Sequence, residues 1–114
     1  MLGLPDASAG IVLFAHGSGS GLLSPRNNFV ARALRDLGFA TLLFDLLTEE
    51  EAQDRANVFD IPLLAERLSM ATAWVIRDRD TAALPIGYFG ASTGAAATLV
   101  AAASGAWPVA AVVS

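Results

Sequence analysis

Five consecutive residues late in the chain, Gly90-Ala91-Ser92-Thr93-Gly94, have types and spacing suited to nucleophilic catalysis. In the pattern G-x-S-x-G, two glycines let a strand turn sharply into a helix and leave the serine exposed at the corner. A helix that begins directly after the serine directs its unpaired N–H groups toward the same point and favours negative charge there. The pattern therefore predicts that Ser92 is a nucleophile. A helix N-cap between small, closely packed residues is the alternative interpretation of this serine.

The segments on either side of this corner have the patterns that the chemistry requires. An apolar strand precedes it, starting after Leu84-Pro85, and an alanine-rich helix is predicted from Thr93 to about Ser104. Gly105 and Pro108 end that helix. Residues 109–113 are then predicted to form another strand.

Two earlier apolar runs, Gly10 to Ala15 and Phe39 to Leu47, predict strands that are buried on both faces. The glycines and serines of residues 16–21 predict a loop whose backbone amides can approach a ligand closely. A helix is predicted between the two strands, with Pro25 in its first turn and Gly38 at its end. Its apolar residues at helical spacing are Phe29, Val30, Ala33, Leu34 and Leu37.

An acidic segment, Thr48 to Asn57, follows the second strand. Its carboxylates lack the spacing and the histidines of a metal motif, so we interpret it as a solvated loop and predict no metal site. Asp60 and Pro62 open the next helix, which is predicted to reach about Arg77. Its apolar stripe consists of Ile61, Leu64, Ala65, Leu68, Ala71 and Val75.

Strands and helices thus alternate along the chain. This order predicts a three-layer α/β fold with a parallel sheet of about four strands, helices on both faces and right-handed crossovers. No repeat or linker divides the sequence, so residues 1–114 are interpreted as a single domain.

Composition restricts the possible partners. The net charge is −4 with only seven Lys and Arg residues, so we expect no binding to nucleic acid or to an anionic membrane. The chain contains no cysteine, which excludes disulfides, thiolate metal sites and a cysteine nucleophile. Residues 81–114 are uncharged, but Gly105 and Pro108 interrupt this alanine-rich stretch and argue against a membrane span. We see no export signal and expect a cytoplasmic protein.

Four motifs together resemble the N-terminal half of an α/β-hydrolase, and most closely its dienelactone-hydrolase-like branch. They are His16-Gly17-Ser18-Gly19, Asp45-Leu46-Leu47-Thr48, Phe59-Asp60-Ile61 and Gly90-Ala91-Ser92-Thr93-Gly94. The resemblance covers nearly the whole chain. It implies that the four strands lie in the order second, first, third, fourth.

The same resemblance implies a serine hydrolase of small esters or lactones that uses an acyl-enzyme and no cofactor. Ser92 is then the catalytic nucleophile. The backbone N–H groups of Thr93 and of Ser18 or Gly17 form the oxyanion hole, and His16 is a possible accessory residue.

One departure from that family is clear, because no Asp, Glu or His follows Ser92. The family presents its triad in the order Ser, then Asp or Glu, then His. His16 is the only histidine, and Asp45 is interpreted as a hydrogen-bond acceptor at the end of a strand. The chain is therefore expected to be a weak or inactive hydrolase, or one part of a longer one. A non-catalytic module that binds a small anion is the alternative.

Two further expectations concern cofactors and assembly. Gly17, Gly19 and Gly21 follow a strand, as in a dinucleotide site, but Leu22 and an extra turn before the helix disfavour that interpretation. A sheet of only four strands should leave the edge of the fourth strand exposed and one sheet face incompletely covered, which predicts a homodimer through that edge, strand exchange or marginal stability.

Overall fold

The computed structural model of this chain describes residues 2–3, 8–16, 25–91, 93–103 and 109–113. The strands are β1 (Leu2–Gly3), β2 (Ile11–His16), β3 (Ala40–Leu43), β4 (Ile86–Ala91) and β5 (Val109–Val113). The helices are α1 (Pro25–Asp36), α2 (Glu49–Ala52), α3 (Arg55–Val58), α4 (Ile61–Arg77) and α5 (Thr93–Ala103).

The strands form one sheet in the order β1-β3-β2-β4-β5. β3, β2, β4 and β5 are parallel neighbours, which confirms the predicted order of second, first, third and fourth strand. β1 pairs antiparallel with β3 and adds a strand that was not predicted. Two residues are too short to show the alternation from which a strand is recognised.

Helices pack against both faces of the sheet, as predicted. One face packs against α4 and α5, and its buried residues include Leu13, Tyr88, Leu68 and Ala97. The other face packs against α1 through a smaller cluster of Phe14, Ala31 and Leu43. In β2, adjacent residues alternate between these two clusters, with Leu13 and Ala15 in the first and Val12 and Phe14 in the second, as a pleated strand requires.

The predicted apolar face of α1 was partly wrong. Phe29 and Leu37 are 71% and 73% exposed, although both fit the apolar spacing. Ala33, also predicted on that face, is exposed. The described residues of α1 that are buried or half-buried are Asn27, Asn28, Val30, Ala31, Leu34 and Arg35. The face that contacts the sheet is therefore rotated around the helix from the predicted one, and the two share only Val30 and Leu34. Gly38 ends the turn after the helix with φ at +92°, a value that glycine adopts without strain.

The second predicted strand also required correction. β3 ends at Leu43 rather than Leu47, and Leu46 and Leu47 are buried in the cluster beside α4 without being part of a strand. The acidic segment, predicted as a loop, contains the short helices α2 and α3. Each begins at a polar side chain that accepts a backbone N–H, Thr48 for α2 and Asp54 for α3.

Helix α4 confirms the prediction for residues 61–77. The Asp60 carboxylate accepts a hydrogen bond from the Leu63 N–H at 3.1 Å and caps the helix. Leu64, Leu68 and Val75 from the predicted stripe are fully buried.

β5 is an outer strand among the residues that the structure describes, because only β4 pairs with it there. Its sequence, VAAVV, contains no charge or proline that would discourage another strand from pairing. Dimerisation through this edge remains a prediction.

Candidate active site

The candidate site lies at the carboxyl end of β4, where the strand connects to α5. β4 ends at Ala91 and α5 begins at Thr93, so Ser92 is the single residue of the connection. The first N–H groups of a helix have no partner within it, and here they begin immediately beyond the strand. This agrees with the predicted strand, corner and helix.

Gly90 explains why so short a connection is possible. A Cβ placed on Gly90 would lie 2.7 Å from the Gly94 carbonyl oxygen and 2.9 Å from the Ala95 Cα. Both atoms belong to the helix backbone and cannot rotate away as a side chain can. Since Gly90 has no positive φ, the requirement for glycine here is the close approach of strand and helix.

β2 places the second predicted part of the site beside this corner. The two strands are in parallel register, with Ala15 opposite Gly90 and His16 opposite Ala91. The described ends of the two strands therefore lie side by side at the carboxyl edge of the sheet. In the sequence, the predicted oxyanion residues Gly17 and Ser18 follow one of these ends and Ser92 follows the other.

Three of the predicted site residues, Ser92, Gly17 and Ser18, lie outside the described residues. Thr93 is the first residue of α5, and His16 is the last residue of β2. The structure thus describes the elements that flank the site. The nucleophile and the oxyanion hole stay predictions.

The structure shows a group of hydrogen bonds, here called the Arg67 anchor, that holds the connection between β3 and α4. The sequence analysis did not predict it. Arg67 of α4 donates hydrogen bonds to both oxygens of Glu51, at 2.9 and 2.6 Å, and to the Leu46 carbonyl at 3.3 Å. Glu51 in turn forms a capping box with Thr48. Because β3 lies beside β2, Arg67 holds the chain that follows the strand paired with β2.

Part of this anchor was readable from sequence. Thr48 and Glu51 have the spacing of a capping box, with Glu three residues after Thr. Arg67 lies sixteen residues after Glu51 and no local pattern connects them. The hydrogen bonds from Arg67 lower the pKa of Glu51 to about 2, so the carboxylate stays charged at neutral and mildly acidic pH.

Tyr88 of β4 and Thr72 of α4 form a polar contact inside the core below the corner. Their hydroxyl oxygens are 2.6 Å apart, and Thr72 also bonds the Leu68 carbonyl at 2.8 Å. Both residues are at most 1% exposed. Burial raises the pKa of the Tyr88 phenol, which keeps the group neutral at physiological pH.

The described residues also contain a cleft, which lies away from the candidate site. A mostly apolar cleft of about 140 Å³ is lined by Gly10, Phe39 and Pro85, at the opposite end of the sheet from Ser92. Within the described ranges, His, Asp and Glu side chains form no group of three or more that could hold a metal ion. No helix among these same residues combines the length and apolarity of a membrane span.

The comparison with solved structures identifies the fold. A dienelactone hydrolase from Anabaena variabilis is 55% identical and superposes with a TM-score of 0.90 over 97% of this chain. The chain has the same α/β fold. It corresponds to 53% of that dienelactone hydrolase chain, so nearly half of the relative has no counterpart in these 114 residues.

A second structure shares this dienelactone-hydrolase-like fold at much lower identity. Est1E from Butyrivibrio proteoclasticus superposes with a TM-score of 0.77 over 97% of this chain and 43% of its own, at 18% identity. At that identity the likeness concerns the fold alone. No family model matches the chain.

Two curated relatives from Mycobacterium tuberculosis strains have a different name. Both are provisionally named phosphoribosyl transferases, and both are 62% identical to this chain over 113 residues. The match covers 99% of this chain but only 26% of either relative. The name therefore refers to proteins about four times as long as the matched region.

Proposed function

We propose that this chain contains the nucleophile site of a serine hydrolase that cleaves small esters or lactones. The observation that supports the proposal best is the contact between Gly90 and the backbone of α5, with Ser92 as the one-residue link. A serine at such a corner projects from the end of the sheet beside free helix amides. The 55% identity with a dienelactone hydrolase supports the substrate class.

In the proposed reaction, the Ser92 hydroxyl oxygen attacks the carbonyl carbon of the ester. The N–H groups of Thr93 and of Ser18 or Gly17 stabilise the oxyanion that forms. When the C–O bond to the alcohol breaks, the alcohol leaves with a proton and the acyl group stays on the serine. Water then attacks the acyl-serine ester and releases the carboxylic acid.

The proposed reaction needs a general base, and the sequence offers few residues for this role. No Asp, Glu or His follows Ser92 in the 114 residues, and His16 is the only histidine. Losing a triad base costs roughly a factor of 10⁶ in turnover, while oxyanion binding alone retains about 10³ to 10⁴ over water. We therefore propose weak turnover by these residues alone, and full turnover only where His16 or a group outside them supplies the base.

A short p-nitrophenyl ester tests the proposal. The wild-type chain is compared with Ser92→Ala and with Ser69→Ala, a serine of α4 away from the corner. We expect hydrolysis above background that Ser92→Ala abolishes and Ser69→Ala preserves. Equal rates in the wild type and Ser92→Ala would contradict a serine mechanism.

The missing base also favours a second candidate, a module that binds a small carboxylate without turnover. A fluorophosphonate probe separates the two functions, because it reacts with an activated serine. Labelling that Ser92→Ala abolishes supports the hydrolase. No labelling, together with acetate-dependent shifts of the α5 amide resonances, supports the binding module.

The name of the Mycobacterium tuberculosis relatives suggests a third activity, transfer of a phosphoribosyl group. Only about a quarter of each relative matches this chain, and that quarter has a dienelactone-hydrolase-like fold. We therefore assign no phosphoribosyl transfer to these residues. Pyrophosphate release from a phosphoribosyl donor by the 114-residue chain would contradict this assignment.

A further inference from the structure

An apolar stripe lies on the exposed side of α1. It consists of Phe29, Ala33 and Leu37, three of the residues predicted to face the sheet, and is here called the α1 stripe. Phe29 and Leu37 are 71% and 73% exposed, the two highest values among the large apolar side chains that the structure describes, and Ala33 is also exposed. Residues four apart lie on one side of a helix, so the three form an apolar line about 12 Å long.

Contacts with the sheet fix the rotation of α1 that leaves this stripe exposed. Arg35 donates a hydrogen bond to the Thr41 hydroxyl of β3 at 3.2 Å. On the inner side of the helix, Ala31 is fully buried, and Val30 and Leu34 pack against the cluster on the sheet. The helix therefore cannot turn its stripe toward the sheet without breaking these contacts.

The turn after α1 holds the last residue of the stripe in place. The Leu37 N–H donates to the Ala33 carbonyl at 3.2 Å, as it would inside a helix. The next two N–H groups, those of Gly38 and Phe39, bond carbonyls of the last helical turn at 3.0 Å each, which is the pattern of a Schellman motif. Leu37 thus keeps helical spacing to Ala33 although α1 ends at Asp36.

The spacing of the α1 stripe makes it complementary to itself. When two copies of α1 pack antiparallel about a two-fold axis at Ala33, each Phe29 meets Leu37 of the other copy. The two alanines then meet at the crossing point. Small side chains there let two helices approach to about 8 Å, the short end of the usual range. The larger side chains fill the space on either side of the alanines.

Two charged residues beside the stripe fit the same symmetry. Arg32 and Asp36 are exposed, lie one helical turn apart on one side of the stripe, and are here called the charged flank. Within the described part of the chain, neither is in an ion pair. A two-fold axis perpendicular to antiparallel helices brings the charged flanks of both copies to the same side. Each Arg32 is then about 3 Å along the helix axis from Asp36 of the other copy, and the two Asp36 residues are about 9 Å apart.

The direction of the side chains strengthens this pairing. Side chains on a helix tilt toward its N-terminus. In an antiparallel pair, Arg32 of one copy and Asp36 of the other therefore tilt toward each other, whereas the two Arg32 side chains tilt apart. The flank thus forms two pairs of opposite charge across the axis.

We propose that α1 is the interface of a symmetric homodimer. In this dimer the α1 stripe and the charged flank of one copy pack antiparallel against those of a second copy. The contact is made by side chains of a helix, so it is distinct from the predicted pairing of β5 edges. It involves no residue of the serine corner and is independent of the proposed function. One pair of helices buries less surface than a standard interface, which is characteristic of weak, reversible association.

Sedimentation equilibrium of the 114-residue chain at about 1 to 500 μM tests the proposal, because weak dimers dissociate in this range. We expect a reversible equilibrium between monomer and dimer. Leu37→Lys should lower the association constant at least about a hundredfold, since the dimer buries this leucine twice. Leu99→Lys is the matched control, because it places the same charge at a leucine of α5 that is 58% exposed, and it should leave association unchanged.

Two results of this experiment would overturn the proposal. One is a wild-type chain that stays monomeric at every concentration. The other is a dimer that Leu37→Lys leaves intact, which would favour pairing through the β5 edge. Far-ultraviolet circular dichroism of each variant confirms that the fold is retained. A cation in the last turn of a helix is favourable, so Leu37→Lys should not unfold α1.

Charge reversal tests the antiparallel arrangement itself. Arg32→Glu brings two carboxylates together across the axis and should lower the association constant about tenfold. Asp36→Arg brings two cations together and should have a similar effect. The double variant exchanges the partners of both pairs without changing the total charge, so it should recover most of the wild-type association. Absence of this recovery would contradict the antiparallel arrangement.

The absence of cysteine from the sequence allows a geometric test. Ala33→Cys places one thiol of each copy at the two-fold axis. There the Cα atoms of two closely packed helices lie within the range of about 4.4 to 6.8 Å that a disulfide spans. Mild oxidation should link Ala33→Cys into a dimer but leave Met70→Cys, a variant at an exposed position of α4, largely unlinked. Equal yields from the two variants would indicate random collision and overturn the proposal.

Discussion

Two connections leave the same edge of the sheet toward the same layer of helices, and they are built differently. The connection from β4 to α5 is the single residue Ser92, and its fit depends on the absence of a side chain at Gly90. The connection from β3 to α4 spans residues 44–60 and is held by charged and polar side chains around Glu51.

The comparison shows two ways in which a connection beside the candidate site is held in position. Backbone packed against backbone leaves no room for adjustment, and it involves no titratable group. Side-chain hydrogen bonds at a half-exposed position tolerate conservative replacement, but they respond to pH and salt. Hence a substitution at the short connection should lower the free energy of unfolding strongly and by the same amount at every pH. A substitution at the long connection should lower it only slightly, and by an amount that depends on pH.

The largest effect is expected for Gly90→Ala. The new methyl group would lie less than 3 Å from three backbone atoms of α5, so the strand or the helix must move. We expect a loss of about 3 kcal/mol in the free energy of unfolding, measured by urea denaturation. Gly38→Ala is the control, because its Cβ meets nothing within 4 Å and only the positive φ is penalised, by about 1 to 2 kcal/mol. A smaller loss at Gly90 than at Gly38 would contradict the close-approach argument.

Thr72→Val should have the next largest effect. The substitution removes the hydroxyl that links α4 to β4 and leaves the buried Tyr88 hydroxyl without this partner. We expect about 1 to 3 kcal/mol of destabilisation in the same urea assay. Thr72→Ser keeps the hydroxyl, and Tyr88→Phe removes both the phenolic oxygen and its need for a partner. Each should cost less than Thr72→Val, and equal losses would show that the hydrogen bond is not the cause.

Arg67→Met should have a smaller effect on global stability, because its pair with Glu51 is about one-third exposed. The change is instead expected to be local. Amide hydrogen exchange of residues 46–53 should accelerate, while exchange in α5 stays at the wild-type rate. Arg67→Lys should restore only part of the protection, since one ammonium group cannot reproduce the bidentate contact. Equal acceleration in α5 would show that the two connections are coupled.

The smallest effect is the pH dependence of Glu51. Its pKa falls from 4.5 to about 2 in the folded chain, so its stabilising contribution is complete above pH 4.5. That contribution is lost as the pH falls from 4.5 toward 2. The difference in unfolding free energy between wild type and Glu51→Gln should therefore be constant above pH 4.5 and shrink below it. The difference between wild type and Gly90→Ala should not change over this range.

The helices and strands could be predicted from sequence where one buried face makes apolar residues recur at a regular spacing. Leu64, Leu68 and Val75 repeat at helical spacing behind the Asp60 cap, and α4 was predicted closely. The strand order followed from the resemblance of the motifs to a known family. β3 was predicted too long because Leu46 and Leu47 are buried outside any strand, and burial alone does not distinguish the two cases.

The predictions for the buried face of α1 and for the acidic segment were wrong for related reasons. Phe29 and Leu37 match the apolar spacing, but the sheet covers the side of the helix that carries Asn27 and Ala31, a polar residue and a small one that the apolar pattern does not single out. The acidic run was interpreted as a loop because its charges dominate the composition. Its helix α2 depends on a capping box and on Arg67, a contact that only the folded chain brings together.

The order of strand, serine and helix at the candidate site could be predicted from the sequence, but the arrangement of the neighbouring strands around it could not. The G-x-S-x-G pattern located the strand, the one-residue connection and the helix start. The register that places His16 opposite Ala91 depends on two strands separated by 69 residues of chain, as does every pairing between β2 and β4. No local pattern contains that information.

The buried Tyr88 hydroxyl gives this chain an intrinsic optical probe of its own unfolding. Tyr88 is the only tyrosine in the sequence, and burial raises its pKa above the usual value of 10. The folded chain therefore keeps its phenol neutral where an unfolded chain already ionises, and alkali favours unfolding as the pH rises above 10. The ultraviolet absorbance of tyrosinate should then increase together with the loss of helical circular dichroism, so that a simple alkaline titration records the opening of the core beneath the serine corner.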